Sequence, residues 1–184
     1  DVDIMHSTES IYLEDENTTG FLRPYEEGYY FMAMLPAEGI SMEDYVNTLS
    51  AEKFKNLLEN ASYDFDVDTV IPEFKSEYSV ELKDTLETMG MTDAFDEEKA
   101  DFSGIGSSDN GNIYISKVIH KTFIELDEQG TKAGAATVVE MAETASLNEP
   151  VVKTVYLDRP FVYAIIDSES KLPVFLGVTE TVLC

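Results

Sequence analysis

The sequence lacks tryptophan altogether and has a single cysteine, which is also its last residue, Cys184. A lone cysteine forms no internal disulfide, so a disulfide-stapled scaffold is excluded and cysteine use does not reveal the redox compartment. No run of about 18 apolar residues occurs, so we expect no membrane span. The chain starts at Asp1 without a methionine or signal peptide. We therefore expect a processed or truncated piece whose targeting signal lies upstream.

Basic residues are scarce. Only 12 Lys and Arg accompany 37 Asp and Glu, which gives a formal net charge of -25. Binding to nucleic acid or to an anionic membrane needs clustered Lys and Arg, so we expect neither partner. The acidity otherwise concerns solubility and says nothing about the fold.

The residue patterns that carry catalysis or metal binding are also missing. There are two histidines, His6 and His120, and neither a glycine-rich phosphate loop nor a Gly-x-Ser-x-Gly elbow occurs. The acidic runs 14–16 and 96–98 lack the ligand spacing of a calcium loop, so we interpret them as solvated loops. We therefore expect no enzyme, no cofactor and no metal site.

The chain does have a globular composition. It has 184 residues, 43% of them hydrophobic, with ten Phe and ten Tyr, which is enough for one domain with a sizeable core. Apolar runs between turn residues predict short strands, and the last three strands are Val151–Tyr156, Phe161–Asp167 and Pro173–Thr181. Short helices interrupt this order, which predicts an α+β fold.

Four further elements follow from local signals. Ser41 and Ser50 are predicted N-caps of two short helices. The apolar spacing over 78–89 predicts a third helix that ends at Gly90. A long strand is predicted over Ile113–Leu126.

The segment Glu125–Val139 is unusual because it has one charge and no large side chain between Gly130 and Thr137. At a strand period of two, one face has no charge, and the other carries Lys132 and Glu140. The uncharged face consists of Thr131, Ala133, Ala135, Thr137, Val139 and Met141. Such a strand can enter a sheet with one face buried, but a flexible Ala/Gly linker fits this window equally well.

Several motifs in order along the chain resemble the serpin family of serine protease inhibitors. They are 71–74 (Ile-Pro-Glu-Phe), 86–95, 100–105 (Ala-Asp-Phe-Ser-Gly-Ile), 115–121, 125–137, 158–161 (Asp-Arg-Pro-Phe) and 175–177 (Phe-Leu-Gly). The resemblance covers nearly the whole chain. It implies the carboxy-terminal half of one inhibitory serpin domain of bacterial type, spanning 1–184, with mixed and antiparallel sheets and an exposed reactive loop. It also implies an amino-terminal half that is either a separate chain or missing.

The resemblance assigns a hinge and reactive loop to about 128–152 and carboxy-terminal strands to 153–184. A target serine protease would cleave this loop as a suicide substrate. The loop would then insert into the main sheet and trap the acyl-enzyme. The hinge residues implied are Glu128, Gly130, Thr131, Ala133, Ala135, Ala136 and Thr137. Lys132 stands where the family usually has Glu, and we expect the change to be tolerated on the outward face.

The scissile bond follows from the family's spacing, counted from Glu128. This gives Thr144 followed by Ala145, and Leu147 competes because the span to the carboxy-terminal motif is longer than usual. No Lys or Arg occurs between Ala133 and Val152, so the sequence favours an elastase-like or subtilisin-like target over a trypsin-like one.

His120 resembles the histidine of the family's sheet-opening region. The resemblance implies a hydrogen-bonding role for it, with partners in the absent half. Two alternatives to an inhibitor remain open: a non-inhibitory serpin acting as a carrier or chaperone, and an inactive fragment. By the habits of the family we expect secretion.

Overall fold

The computed structural model describes residues 3–26, 28–127, 130–131 and 151–180. The strands in these ranges are β1 (Ile4–Glu9), β2 (Ile11–Asp15), β3 (Thr18–Pro24), β4 (Tyr29–Pro36), β5 (Phe65–Pro72), β6 (Phe74–Glu81), β7 (Ile119–Asp127), β8 (Gly130–Thr131), β9 (Val151–Tyr156), β10 (Phe161–Asp167) and β11 (Pro173–Thr179). The helices are α1 (Met42–Thr48), α2 (Ala51–Glu59) and α3 (Lys83–Thr88), with a 3-10 turn at Asp93–Phe95. The strands form mixed and antiparallel sheets, which confirms the predicted α+β class.

The chain divides into two compact units. The first contains Asp1–Phe74 and Glu125–Cys184, and the second contains Lys75–Ile124. The first unit carries a five-stranded antiparallel sheet in the order β11-β10-β4-β3-β2 and a three-stranded sheet in the order β1-β5-β9. Strand β3 contacts β1 and β9, so the two sheets pack on each other.

One core cluster of the first unit lies between the five-stranded sheet and the helices α1 and α2. Tyr45 of α1 and Leu57 of α2 are buried against alternate residues of the strands. These strand residues are Ile11, Leu13, Leu22, Met32, Met34, Val162, Ala164 and Ile166. Their period of two places one set of side chains on the same face of the sheet, which the two helices cover.

Both predicted N-caps are confirmed. The Ser41 hydroxyl accepts a hydrogen bond from the Asp44 amide at 3.0 Å, and the Ser50 hydroxyl accepts one from the Lys53 amide at 3.1 Å. Each cap satisfies one of the amides that lack a partner at a helix start. These local contacts position α1 and α2 over the sheet.

A buried polar pair fixes α1 to the sheet. The hydroxyls of Thr18 and Tyr45 lie 2.8 Å apart, and both residues are buried. Burial raises the pKa of Tyr45, the hydrogen bond to Thr18 lowers it, and the nearby Asp15 raises it. The net pKa of Tyr45 is about 12. Because burial disfavours the phenolate, Tyr45 stays neutral at physiological pH.

An ion pair joins strands of the two sheets in the first unit. The Arg23 Nε atom donates to Glu9 Oε1 at 2.7 Å, and Arg23 Nη2 donates to the Ser7 hydroxyl. The Ser7 hydroxyl also lies 2.7 Å from the Thr69 hydroxyl. Glu9 and Thr69 are buried, so this network supplies the partners that buried polar groups need.

The second unit contains most of β6 and β7, with α3 between them. The predicted helix over 78–89 is wrong in its first half, since residues 74–81 form β6 and the helix covers only Lys83–Thr88. Residues 78–81 have the apolar spacing of a helix but belong to a strand that pairs with β7. Pairing with this distant strand outweighs the weak local preference for helix. The predicted helix end is confirmed, because Gly90 follows α3 with φ +102°.

The strand predicted over Ile113–Leu126 begins later than expected. Strand β7 starts at Ile119, and residues 113–118 have no ladder partner within the described residues. Two isolated backbone bonds hold them: the Ile115 amide donates to the Ala94 carbonyl, and the Leu82 amide donates to the Val118 carbonyl. A strand pattern without a neighbouring strand leaves the chain extended but outside a sheet.

Candidate functional site: the two ends of the predicted reactive loop

The first end of the predicted loop is the short hairpin between β7 and β8. Leu126 pairs with Thr131 and Asp127 pairs with Gly130, in an antiparallel register. On β7, Ile124 and Leu126 are buried whereas Phe123 is half exposed. Strand β8 thus runs antiparallel to β7 at the point in the sequence where the run of small residues begins.

Most of the predicted site residues lie outside the described residues. Of the hinge, Gly130 and Thr131 form β8. Glu128, Ala133, Ala135, Ala136 and Thr137, and the scissile-bond candidates Thr144, Ala145 and Leu147, lie outside the described ranges. Their roles stay predictions. His120 lies on β7 with an exposed side chain in this chain, and its hydrogen-bonding role also stays a prediction.

The other end of the predicted loop is β9, which pairs parallel with β5 from Val151 onward. Val155 and Leu157 are buried, and the Leu157 amide donates to the Val70 carbonyl at 2.8 Å. The Tyr156 hydroxyl donates to Asp68 Oδ2 at 3.0 Å, and this hydrogen bond raises the pKa of Tyr156. These contacts fix β9 to the three-stranded sheet.

Lys153 adds a contact that sequence reasoning missed. Its Nζ atom lies 5.0 Å from the ring centroid of Tyr12, 5.1 Å from that of Phe65, and 3.5 Å from Glu14 Oε2. The two rings meet edge to face at 5.7 Å. The partners lie on strands distant in the chain, so no local pattern signals this arrangement.

The carboxy-terminal motif continues from β9 into the core. The Arg159 Nη2 atom donates to the Pro36 carbonyl at 3.1 Å, which fixes the entry to β10. Phe161 is fully buried and packs against Phe74 and Tyr163 at ring distances of 5.7 and 6.2 Å. The Tyr163 ring occupies the space where a side chain at Gly177 would lie, which explains the glycine in Phe-Leu-Gly.

An apolar groove lies between α2 and the start of β11. Its walls include Phe54, Leu58, Leu172 and Leu176. Leu172 and Leu176 are more than half exposed. The groove is therefore an exposed apolar surface formed by described residues of the first unit.

Among the described residues, no three His, Cys, Asp or Glu side chains are grouped as a metal site would require. Nor do these residues include a helix of the length and apolarity that a bilayer crossing needs.

Comparison with known proteins identifies the family. The family model described as serpin (serine protease inhibitor) matches residues 1–181. The chain belongs to the serpin family. An uncharacterized serpin-like protein of Thermococcus kodakarensis is 37% identical over 178 residues, which is 96% of this chain and 40% of that protein.

Solved serpin structures agree with the fold. The thermophilic serpin tengpin, in its native state, is 49% identical with a TM-score of 0.79, over 98% of this chain and 46% of that one. Human thyroxine-binding globulin, solved in complex with thyroxine, is 28% identical with a TM-score of 0.76, over 96% of this chain and 45% of that one. This serpin chain thus spans less than half the length of the relatives it matches, as a partial serpin does.

Proposed function

We propose that this chain is the carboxy-terminal half of an inhibitory serpin that traps an elastase-like or subtilisin-like serine protease. The observation that carries the proposal is the β7–β8 hairpin, because β8 already pairs with β7 where the small hinge residues begin. Membership of a family of serine protease inhibitors supports it. We also propose that the protein acts outside the cell.

The register between β7 and β8 predicts which residues of β7 the inserted hinge residues would face. In the hairpin, Leu126 lies opposite Thr131 and Asp127 lies opposite Gly130. An inserted loop that kept this register would have Ala133 opposite Ile124 and Thr137 opposite His120. Directly opposed residues share a face of a sheet, and Ile124 is on the buried face. Small residues at 133, 135 and 137 then fit where large or charged ones would not.

The chemistry of the proposed inhibition is that of an interrupted hydrolysis. The serine hydroxyl of the protease attacks the carbonyl carbon of Thr144, the C–N bond to Ala145 breaks, and the amine leaves with a proton. The chain that ends at Thr144 stays esterified to the protease through the Thr144 carbonyl carbon and inserts beside β7. The segment that begins at Ala145 stays continuous with β9.

A second candidate is a non-inhibitory carrier. The likeness to thyroxine-binding globulin, which was solved with thyroxine, favours it. A carrier shares the fold but is cleaved without trapping the protease. The third alternative is an inactive fragment, which would neither trap a protease nor carry a ligand.

The test assembles this chain with an amino-terminal serpin half, as one polypeptide or two chains, and incubates it with an elastase. We expect a protease-linked band that survives a denaturing gel, and mass spectrometry of the released peptide that begins at Ala145. Cleavage without a linked band contradicts the inhibitor and favours the carrier. Release of a peptide beginning after Leu147 reassigns the scissile bond.

A further inference from the structure

Lys153 follows directly on the predicted loop, and it is bound to both sheets of the first unit. Its ammonium group lies over the ring of Tyr12 on β2 and the ring of Phe65 on β5, and near the carboxylate of Glu14. The Lys153 side chain is 33% exposed, so its charge is partly shielded from water. We call Tyr12, Glu14 and Phe65 the lysine cage.

The cage connects three strands through one side chain. Cations are attracted to the negative faces of aromatic rings, and this attraction strengthens as water is excluded. Lys153 faces two rings at about the same distance, 5.0 and 5.1 Å. Glu14 is 54% exposed, so its ion pair at 3.5 Å contributes less. The two rings therefore contribute more than Glu14 does to holding the Lys153 ammonium group in place.

We propose that Lys153 is a positioning residue: its cage anchors the carboxy-terminal end of the reactive loop and so delays insertion of the uncleaved loop. This inference rests on the proposed inhibitory function. It concerns the intact loop, before any protease has cut it.

Chain length supplies the physical reason. Residues 131–144, taken up beside β7 and the extended residues 113–118 that precede it, would form a strand of roughly 48 Å at about 3.4 Å per residue. The seven steps from Thr144 to Val151 would then span at most about 25 Å. Insertion of the uncleaved loop leaves only this short connection to Val151, and the proposal requires that insertion pulls on β9. Cleavage after Thr144 separates the inserted strand from β9 and removes this pull. Contacts that stabilise β9 in its sheet thus oppose insertion of the loop only before cleavage.

The test compares Lys153→Met with Lys153→Arg in the protein assembled with its amino-terminal half. Methionine keeps the apolar stem and removes the charge, whereas arginine keeps a cation over the rings. Lys171→Met is the matched control, because Lys171 Nζ lies 5.4 Å from the centroid of the Tyr30 ring and Lys171 belongs to the connection between β10 and β11. Each variant is followed by hydrogen exchange of the β9 amides and by the loss of inhibitory activity during incubation without protease.

We expect Lys153→Met to speed both exchange at β9 and loss of inhibition by about tenfold. Lys153→Arg and Lys171→Met are expected to behave as the wild type. Unchanged exchange at β9 in Lys153→Met overturns the anchor, and so does faster exchange with an unchanged loss of inhibition. If the wild type never inhibits, the proposed function fails, and exchange at β9 still decides whether Lys153 holds the strand.

Discussion

The buried pair of Thr18 and Tyr45 allows a prediction whose magnitude follows from the structure. Tyr45→Phe removes one hydroxyl and leaves the Thr18 hydroxyl buried, 2% exposed, without the partner that lies 2.8 Å away. A buried polar group that loses its partner costs about 1–3 kcal/mol. We therefore expect Tyr45→Phe to lower the free energy of unfolding by about 1–3 kcal/mol, and Thr18→Val to do the same from the other side.

The double variant separates the hydrogen bond from packing. Replacing both partners by apolar groups of the same shape leaves no unsatisfied hydroxyl, so its cost is small. We expect Thr18→Val with Tyr45→Phe to be close to the wild type in urea unfolding, and Tyr63→Phe, at an exposed position, to change stability by less than about 0.5 kcal/mol. A double variant whose loss equals the sum of the two single losses would refute the reasoning.

Three further outcomes are expected. Burial raises the pKa of Tyr45 from 10.0 to about 12, so between these pH values the unfolded state loses the phenol proton before the folded state does. The contribution of Tyr45 to the free energy of unfolding is therefore present below pH 10 and is lost as the pH rises to 12. In unfolding titrations the wild type should lose roughly 2 kcal/mol over that range relative to Tyr45→Phe. Gly20→Ala places a Cβ against a carbonyl oxygen of β4 and should cost about 1–3 kcal/mol in thermal unfolding, whereas Gly104→Ala, with open space around it, should be nearly neutral. Arg23→Met leaves the buried Glu9 carboxylate without its ion pair and should cost about 3 kcal/mol in urea unfolding; a loss below about 1 kcal/mol would contradict this.

Local chemistry was readable from the sequence. The caps at Ser41 and Ser50 depend on residues three apart, so their signals lie within one short window. The strands β9, β10 and β11 were readable for a similar reason, since each is an apolar run between turn residues. The family motifs predicted the serpin architecture, which the solved serpin structures confirm.

Long-range pairing was not readable. Residues 78–81 carry helical spacing but form part of β6, because a strand distant in the chain pairs with them. Tyr12, Phe65 and Lys153 meet only after three strands are in place, so no window of sequence contains the lysine cage. The hinge stays a prediction from its small residues and the family motifs, whereas the register of Gly130 and Thr131 with β7 required the structure.

The most direct measurement of the central claim compares Ala135→Glu with Ala136→Glu. The two substitutions are neighbours with the same chemistry, but only position 135 lies on the predicted inward face. We expect Ala135→Glu to be cleaved by an elastase without a protease-linked band on a denaturing gel, because a buried carboxylate opposes insertion. We expect Ala136→Glu to form the linked band as the wild type does. A linked band of equal yield in both variants would contradict the account.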